Sequence, residues 1–163
     1  MVRYLLRTAP VVVRALLGAD GRRISRITRR VRLDEIDPNR HMNQAVYAQV
    51  LELGRTDWVL RSRSWTRWRA ERLLPVVAEQ RIVYRRELAP LQRYAIDTRV
   101  VSVEGRLMWF EQHILVGDRV HARGESALIF IGPDGVLTPE QLSPHVDDLV
   151  ESRLVVEDWR ARA

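Results

Sequence analysis

The spacing of apolar residues along the chain changes twice, and the changes divide it into three stretches. Val2 to Leu17 is apolar but interrupted by Arg3, Arg7 and Arg14, which predicts a short amphipathic segment packed on the domain or resting on a membrane surface. Gly18 to Gly21 breaks it, and Ser25 to Leu33 follows with β-branched residues in partial alternation, a first strand. Asp37-Pro38-Asn39 reads as a turn and Asn43 as an N-cap. On a helical wheel, Gln44 to Leu60 places Val46, Tyr47, Val50, Leu51, Leu53, Gly54, Trp58 and Leu60 on one half, with Gln49, Glu52, Arg55 and Thr56 on the other. So broad an apolar arc predicts a deeply packed helix. Gly54 within it suggests a close backbone approach, and Asp57, the one charge in the arc, needs a partner, helix fraying or a function, an arginine partner being the preferred reading.

From Pro75 the period becomes that of strands: Val76 to Leu88, Tyr94 to Val103, Arg106 to Val116 and Arg119 to Ile131, parted by Pro90, Glu104-Gly105 and Gly117-Asp118. The last two separators have hairpin length, and Gly117-Asp118 suits a type II′ turn. The expected order is a strand, a long helix and a four-stranded antiparallel meander. A lone sheet must bury one face, so it should curl around the helix. Thr138-Pro139-Glu140 marks a helix start and Ser143-Pro144 a second one. The expected organisation is an N-terminal segment over residues 1–23, a domain over 24–137 and a helical extension over 138–163.

Composition narrows the chemistry. The chain has 163 residues, no cysteine and 27 basic residues, every one arginine. Thiol nucleophiles, disulfides, thiolate metal sites and Schiff-base lysines are thereby excluded. The net charge of +6 favours anionic partners, although 21 acidic residues are interspersed. Arg61 to Arg72 interleaves arginines with Trp65 and Trp68, a pattern of nucleic-acid or anionic-membrane binding whose plainer reading is a solvated connection with its tryptophans closed over the core. Gly124 to Leu128 has part of a nucleophile elbow, but its last glycine is missing and a strand runs on where a helix is required. The four histidines show no metal-site spacing, so neither metal nor cofactor is expected. No stretch is long and apolar enough to span a membrane, and Arg14 interrupts the apolar centre a signal peptide would need.

The densest polar cluster is Asp34 to Tyr47, between a strand end and a helix start. Unpaired N–H groups at a helix N-terminus can hold a developing oxyanion, and a carboxylate upstream can act as base or nucleophile beside them. An Asx turn with an N-cap would need the same residues. Asp37-Pro38-x-x-His41-Met42-Asn43-x-x-x-Tyr47, with Glu52 and Arg55 beyond, resembles the D-x-x-G-H-V-N-x-x-x-Y signature of hotdog-fold acyl-CoA thioesterases of the 4-hydroxybenzoyl-CoA thioesterase branch. Tyr84 to Tyr94 and Trp109 to His113 extend the resemblance, which covers about Ile24 to Leu137; Arg40 stands where the signature has glycine.

The resemblance implies an α+β hotdog fold, with about five to six antiparallel strands wrapped around a long central helix, and a cytoplasmic homodimer or homotetramer. It implies hydrolysis of a fatty or aromatic acyl-CoA, with Asp37 as base or nucleophile and the N–H near Gln44 as oxyanion donor. His41, Asn43 and Tyr47 fall in the substrate-binding segment, where His41 and Asn43 shape the loop and cap the helix. Arg85 and Arg86 are candidates for the phosphates of coenzyme A. The alternatives are a non-catalytic hotdog protein holding acyl-CoA or acyl carrier protein, and a basic nucleic-acid or anionic-membrane binder; nucleic acid is not the expected partner.

Overall fold

The computed structural model describes residues 2–18, 21 and 23–151, with side chains from residue 8 onward. Helix α1 (Val2–Leu17) leads to strand β1 (Ile24–Arg30), a 3-10 turn (Leu33–Glu35), the long helix α2 (Gln44–Arg61) and a short helix α3 (Ser64–Ala70). Strands β2 (Leu74–Tyr84), β3 (Arg93–Glu104), β4 (Leu107–Val116), β5 (Arg119–Gly132) and β6 (Gly135–Val136) follow, then α4 (Pro139–Val146) and a closing 3-10 turn (Asp147–Leu149).

All strand pairings are antiparallel, in the order β1-β3-β4-β5-β2, with β6 on β5. The expected meander is therefore corrected. Of the four strands expected in it, only β3, β4 and β5 run as consecutive hairpins; β2 pairs with β5 at the far edge, and β1 takes the place beside β3. The long connection around Pro90 lets the chain cross from β2 at one edge, past β5 and β4, to β3, which the two hairpin-length turns cannot do. Pro75 is accommodated because β2 is a terminal strand. Gly117, at φ +57, opens the β4–β5 turn with the positive φ expected of it.

Register shifts at Val77/Glu79, Val100/Ser102 and Ile114/Leu115 bend three strands, and α2 lies against the sheet. Val46, Val50, Leu51, Leu53, Gly54 and Trp58 on α2 are buried, as the wheel predicts. This is the α+β arrangement of a curled antiparallel sheet with helices that the resemblance implies.

The approach at Gly54 is close: a Cβ there would lie 2.6 Å from Thr98 Oγ1 and 2.8 Å from Gln112 Nε2. Asp57 is fully buried and has its arginine, Arg61 Nε at 2.9 Å, while Ser25 Oγ donates to the same Oδ2 at 2.6 Å. Arg55 departs from the reading. Placed on the polar half of the wheel, it is buried, donating through Nη1 to Gln112 Oε1 and Ser126 Oγ, both at 2.9 Å. Gln112 Nε2 donates in turn to the Leu51 carbonyl and to Thr98 Oγ1. This polar layer separates two apolar clusters, one around Val46, Tyr47, Leu51 and Ile96, the other around Trp58, Trp68, Phe110 and Phe130.

The basic stretch after α2 contains a helix where a bare connection was expected. Trp68 is fully buried, at a ring-centroid distance of 4.8 Å from Phe130, and closes over the core as expected, whereas Trp65 is 38% exposed and does not. Arg67 pairs with Asp148 and with the Pro144 carbonyl. The second helix start at Ser143-Pro144 does not occur. Helix α4, capped by Thr138, runs through Pro144, which forgoes one backbone hydrogen bond near the end of a short helix.

Candidate active site

The loop from Ile36 to Asn43 is folded on itself by its own polar groups. Asp37 Oδ1 accepts from the N–H of Asn39 at 2.9 Å and of His41 at 3.4 Å; Asp37 N–H donates to the His41 carbonyl, and Arg40 N–H to the Asp37 carbonyl. Such an Asx turn comes from an aspartate ahead of proline and asparagine. Asp37 is half-buried, and among the described residues its Oδ2 makes no hydrogen bond, so one carboxyl oxygen builds the loop while the other is available. Arg40 sits at φ 64, the left-handed region that the signature's glycine enters freely. The turn is thus kept although the glycine is gone.

Asn43 caps α2: its Oδ1 accepts from Ala45 N–H at 2.8 Å and its N–H donates to the Glu35 carbonyl. Gln44, the first helical residue, is exposed, and its N–H has no acceptor within the helix. The loop therefore sets one carboxylate just upstream of a free backbone donor at the positive end of an 18-residue helix.

Tyr47 belongs to the core more than to the loop. It is 3% exposed, stands edge-on to Tyr84 at 4.9 Å, and burial pushes its hydroxyl up to about 12. Arg85 and Arg86 are exposed just past the end of β2, their N–H groups donating to the His121 carbonyl. Two residues further on, Leu88 accepts from Met42 N–H at 2.9 Å, tying this segment to the Asp37 loop. The structure thus brings Asp37, His41, Asn43, Gln44 and the Arg85-Arg86 segment into adjoining turns. Ser126, by contrast, is buried within β5 as an acceptor for Arg55.

Sequence reasoning missed a groove of about 590 Å³ along α2, walled by Gln49, Glu52 and Arg55 from the helix, Val12 from α1, Trp65 from α3 and Val77 from β2. Ala48, Glu52, Arg55 and Val59, all in its wall, recur at helical spacing, which could have flagged it.

Comparison with known proteins identifies the family. The family model of the thioesterase-like superfamily matches residues 31–149, and the chain belongs to that superfamily, a class whose activity is thioester hydrolysis. Among solved structures, the fold resembles the YbaW probable thioesterase from Escherichia coli (TM-score 0.71, 24% identity, 77% of this chain and 98% of that one). It also resembles a DHNA-CoA thioesterase from Staphylococcus aureus (TM-score 0.62, 17% identity, 77% and 85%). A third is SAV2348 from Staphylococcus aureus, solved in complex with CoA (TM-score 0.65, 14% identity, 86% and 92%). A search of curated proteins finds no match. The hotdog expectation is met.

Proposed function

We propose that the protein hydrolyses a fatty or aromatic acyl-CoA, with Asp37 as base or nucleophile and the Gln44 N–H as oxyanion donor. The observation that carries this reading is the Asx-turn loop, in which, among the described residues, one Asp37 oxygen makes no hydrogen bond, on the segment that leads into the first N–H of α2. Asp37 takes the proton of an attacking water, or attacks the acyl carbon itself. The carbonyl oxygen gathers charge beside the helix N-terminus, and the sulfur departs as thiolate, a leaving group good enough to need no strong acid. Arg85 and Arg86, joined to this loop through Leu88 and Met42, are proposed to meet the phosphates of coenzyme A, a ligand that SAV2348 holds. His41 and Asn43 hold the loop and cap for substrate, and Tyr47 backs the site from the core.

A homodimer or homotetramer in the cytoplasm is part of the proposal. Among the described residues nothing pairs with the outer side of β2, which presents Val76 and Val77 at an exposed edge. Among those residues no helix is long and apolar enough to cross a membrane. Thiol release from a panel of acyl-CoA thioesters tests the reading. Asp37→Asn should lower the rate at least about 100-fold at unchanged folding; equal release by both proteins overturns it.

A further inference from the structure

Helix α1 is apolar on two opposite sides. Val11 and Ala15 are buried toward the domain, where α1 packs on α2. The helix end is clamped there: Arg61 Nη1 donates to the Gly18 carbonyl at 2.9 Å, and Gly21 N–H to the Arg61 carbonyl at 3.0 Å. The opposite side carries Val13, Leu16 and Leu17, exposed by 56%, 59% and 86%. With Ala9 they span an arc of about 100° on the helical wheel, roughly opposite the buried face. An open depression of about 790 Å³ on this side is lined by Ala9, Pro10, Val13, Arg14, Leu17 and Gly18. The core already has its own contacts with α1, so this outer face is not a core surface awaiting closure.

The charges of α1 have one sign. The helix contains no acidic residue, and positions 3, 7 and 14, all arginine, fall within about 40° of one another along one border of the apolar arc. Arg14 is exposed and uses one Nη to donate to the Arg26 carbonyl, leaving further donors for an outside acceptor. An apolar arc bordered by arginines is the pattern of a helix lying in the plane of a lipid interface, where the apolar face enters the acyl boundary and the guanidinium groups reach the headgroups. The net charge of +6 draws the whole protein to the same surface. A second copy in that place would bring like-charged borders together with no carboxylate on either helix to offset them.

We propose that the outer face of α1 docks this protein in plane on an anionic phospholipid bilayer, through Val13, Leu16 and Leu17 with Arg14 at the border. The inference does not depend on the hydrolase reading. It also gives the groove beside Val12 a setting, because that groove adjoins the docked helix.

Co-sedimentation of the full chain with phosphatidylcholine vesicles, with and without phosphatidylglycerol, tests it, together with light scattering of the free protein. Wild type should bind the anionic vesicles at least about tenfold more strongly than the neutral ones, and less as salt is raised. The charge-neutral double change Val13→Ser/Leu17→Ser should cut binding to anionic vesicles at least about tenfold with the melting temperature held. Should the double variant fold poorly, Leu17→Ser alone, at the most exposed of these positions, carries the same expectation in weaker form. Undiminished binding by the serine variants would overturn the proposal by showing adsorption through bulk charge. Absence of vesicle binding, or an oligomer that dissociates in the variant without a change in vesicle binding, would overturn it too, the latter assigning the face to a second copy.

Discussion

At its carboxyl end α2 buries Trp58 edge-on against Phe110, 5.0 Å between ring centroids, with Trp68, Phe130, Leu142 and Val146 filling the same cluster. At its amino end, Gln44 and Ala45 are exposed, and the loop ahead of them is held by hydrogen bonds among its own residues. Aromatic burial holds one end; at the other, Val46 and Tyr47 are buried in a separate apolar cluster, while the loop of polar turns ahead of them leaves, among the described residues, a carboxylate oxygen and a backbone N–H unpaired. The fold can keep groups uncommitted in that loop because burial secures the helix behind it.

Substitutions at the two ends should therefore separate stability from turnover. Trp58→Ala, which empties a fully buried site and removes the Nε1 donor to the Arg23 carbonyl, should cost about 3–5 kcal/mol in urea unfolding, while the fraction still folded turns over acyl-CoA normally. Between the two ends, Gly54→Ala drives a methyl group into Thr98 and Gln112 and should cost about 1–3 kcal/mol. At the amino end, Asn43→Ala removes only the cap, a loss of about 1 kcal/mol, but should slow thiol release by more than that instability explains, since it frees the helix start that presents the oxyanion donor. Arg40→Gly releases the left-handed backbone strain and should raise the urea midpoint by up to about 1 kcal/mol of stability, with turnover kept.

The smallest effect is a titration on the sheet. Burial holds His113 below the ordinary histidine range, so the folded state favours the neutral ring. Its contribution is intact above the unfolded histidine value and is lost as pH falls from there toward the folded one. A melting series from neutral to mildly acidic pH should decline more steeply for wild type than for His113→Gln.

What could be read in advance was local. The arc of α2, the Asn43 cap, the contact at Gly54 and the partner for Asp57 all follow from spacing within one helix or from the cost of burying one charge. The destination of β2 did not: Val76 to Leu88 reads as a strand wherever it pairs, and the alignment of β2 with Ala122 to Ile131 is set by how the sheet packs against α2. Arg55 was misplaced for a similar reason. A guanidinium on the polar half of a wheel reads as solvated, and only the arrival of Gln112 and Ser126 from two other strands makes it a buried donor, with burial pushing it down to about 10. In the candidate site, the loop and cap were legible, whereas the groove walls come from four elements and had no local signature beyond one helical stripe.

The guanidinium of Arg55, wedged with Gln112, Thr98 and Ser126 through the middle of the interior, acts as a bulkhead. Oil-like contacts do not run continuously from one compartment to the other, so loosening around Met42 and Tyr47 need not spread to the tryptophans. Amide exchange should accordingly split into a faster compartment around Met42 and Tyr47 and a slower one behind the partition.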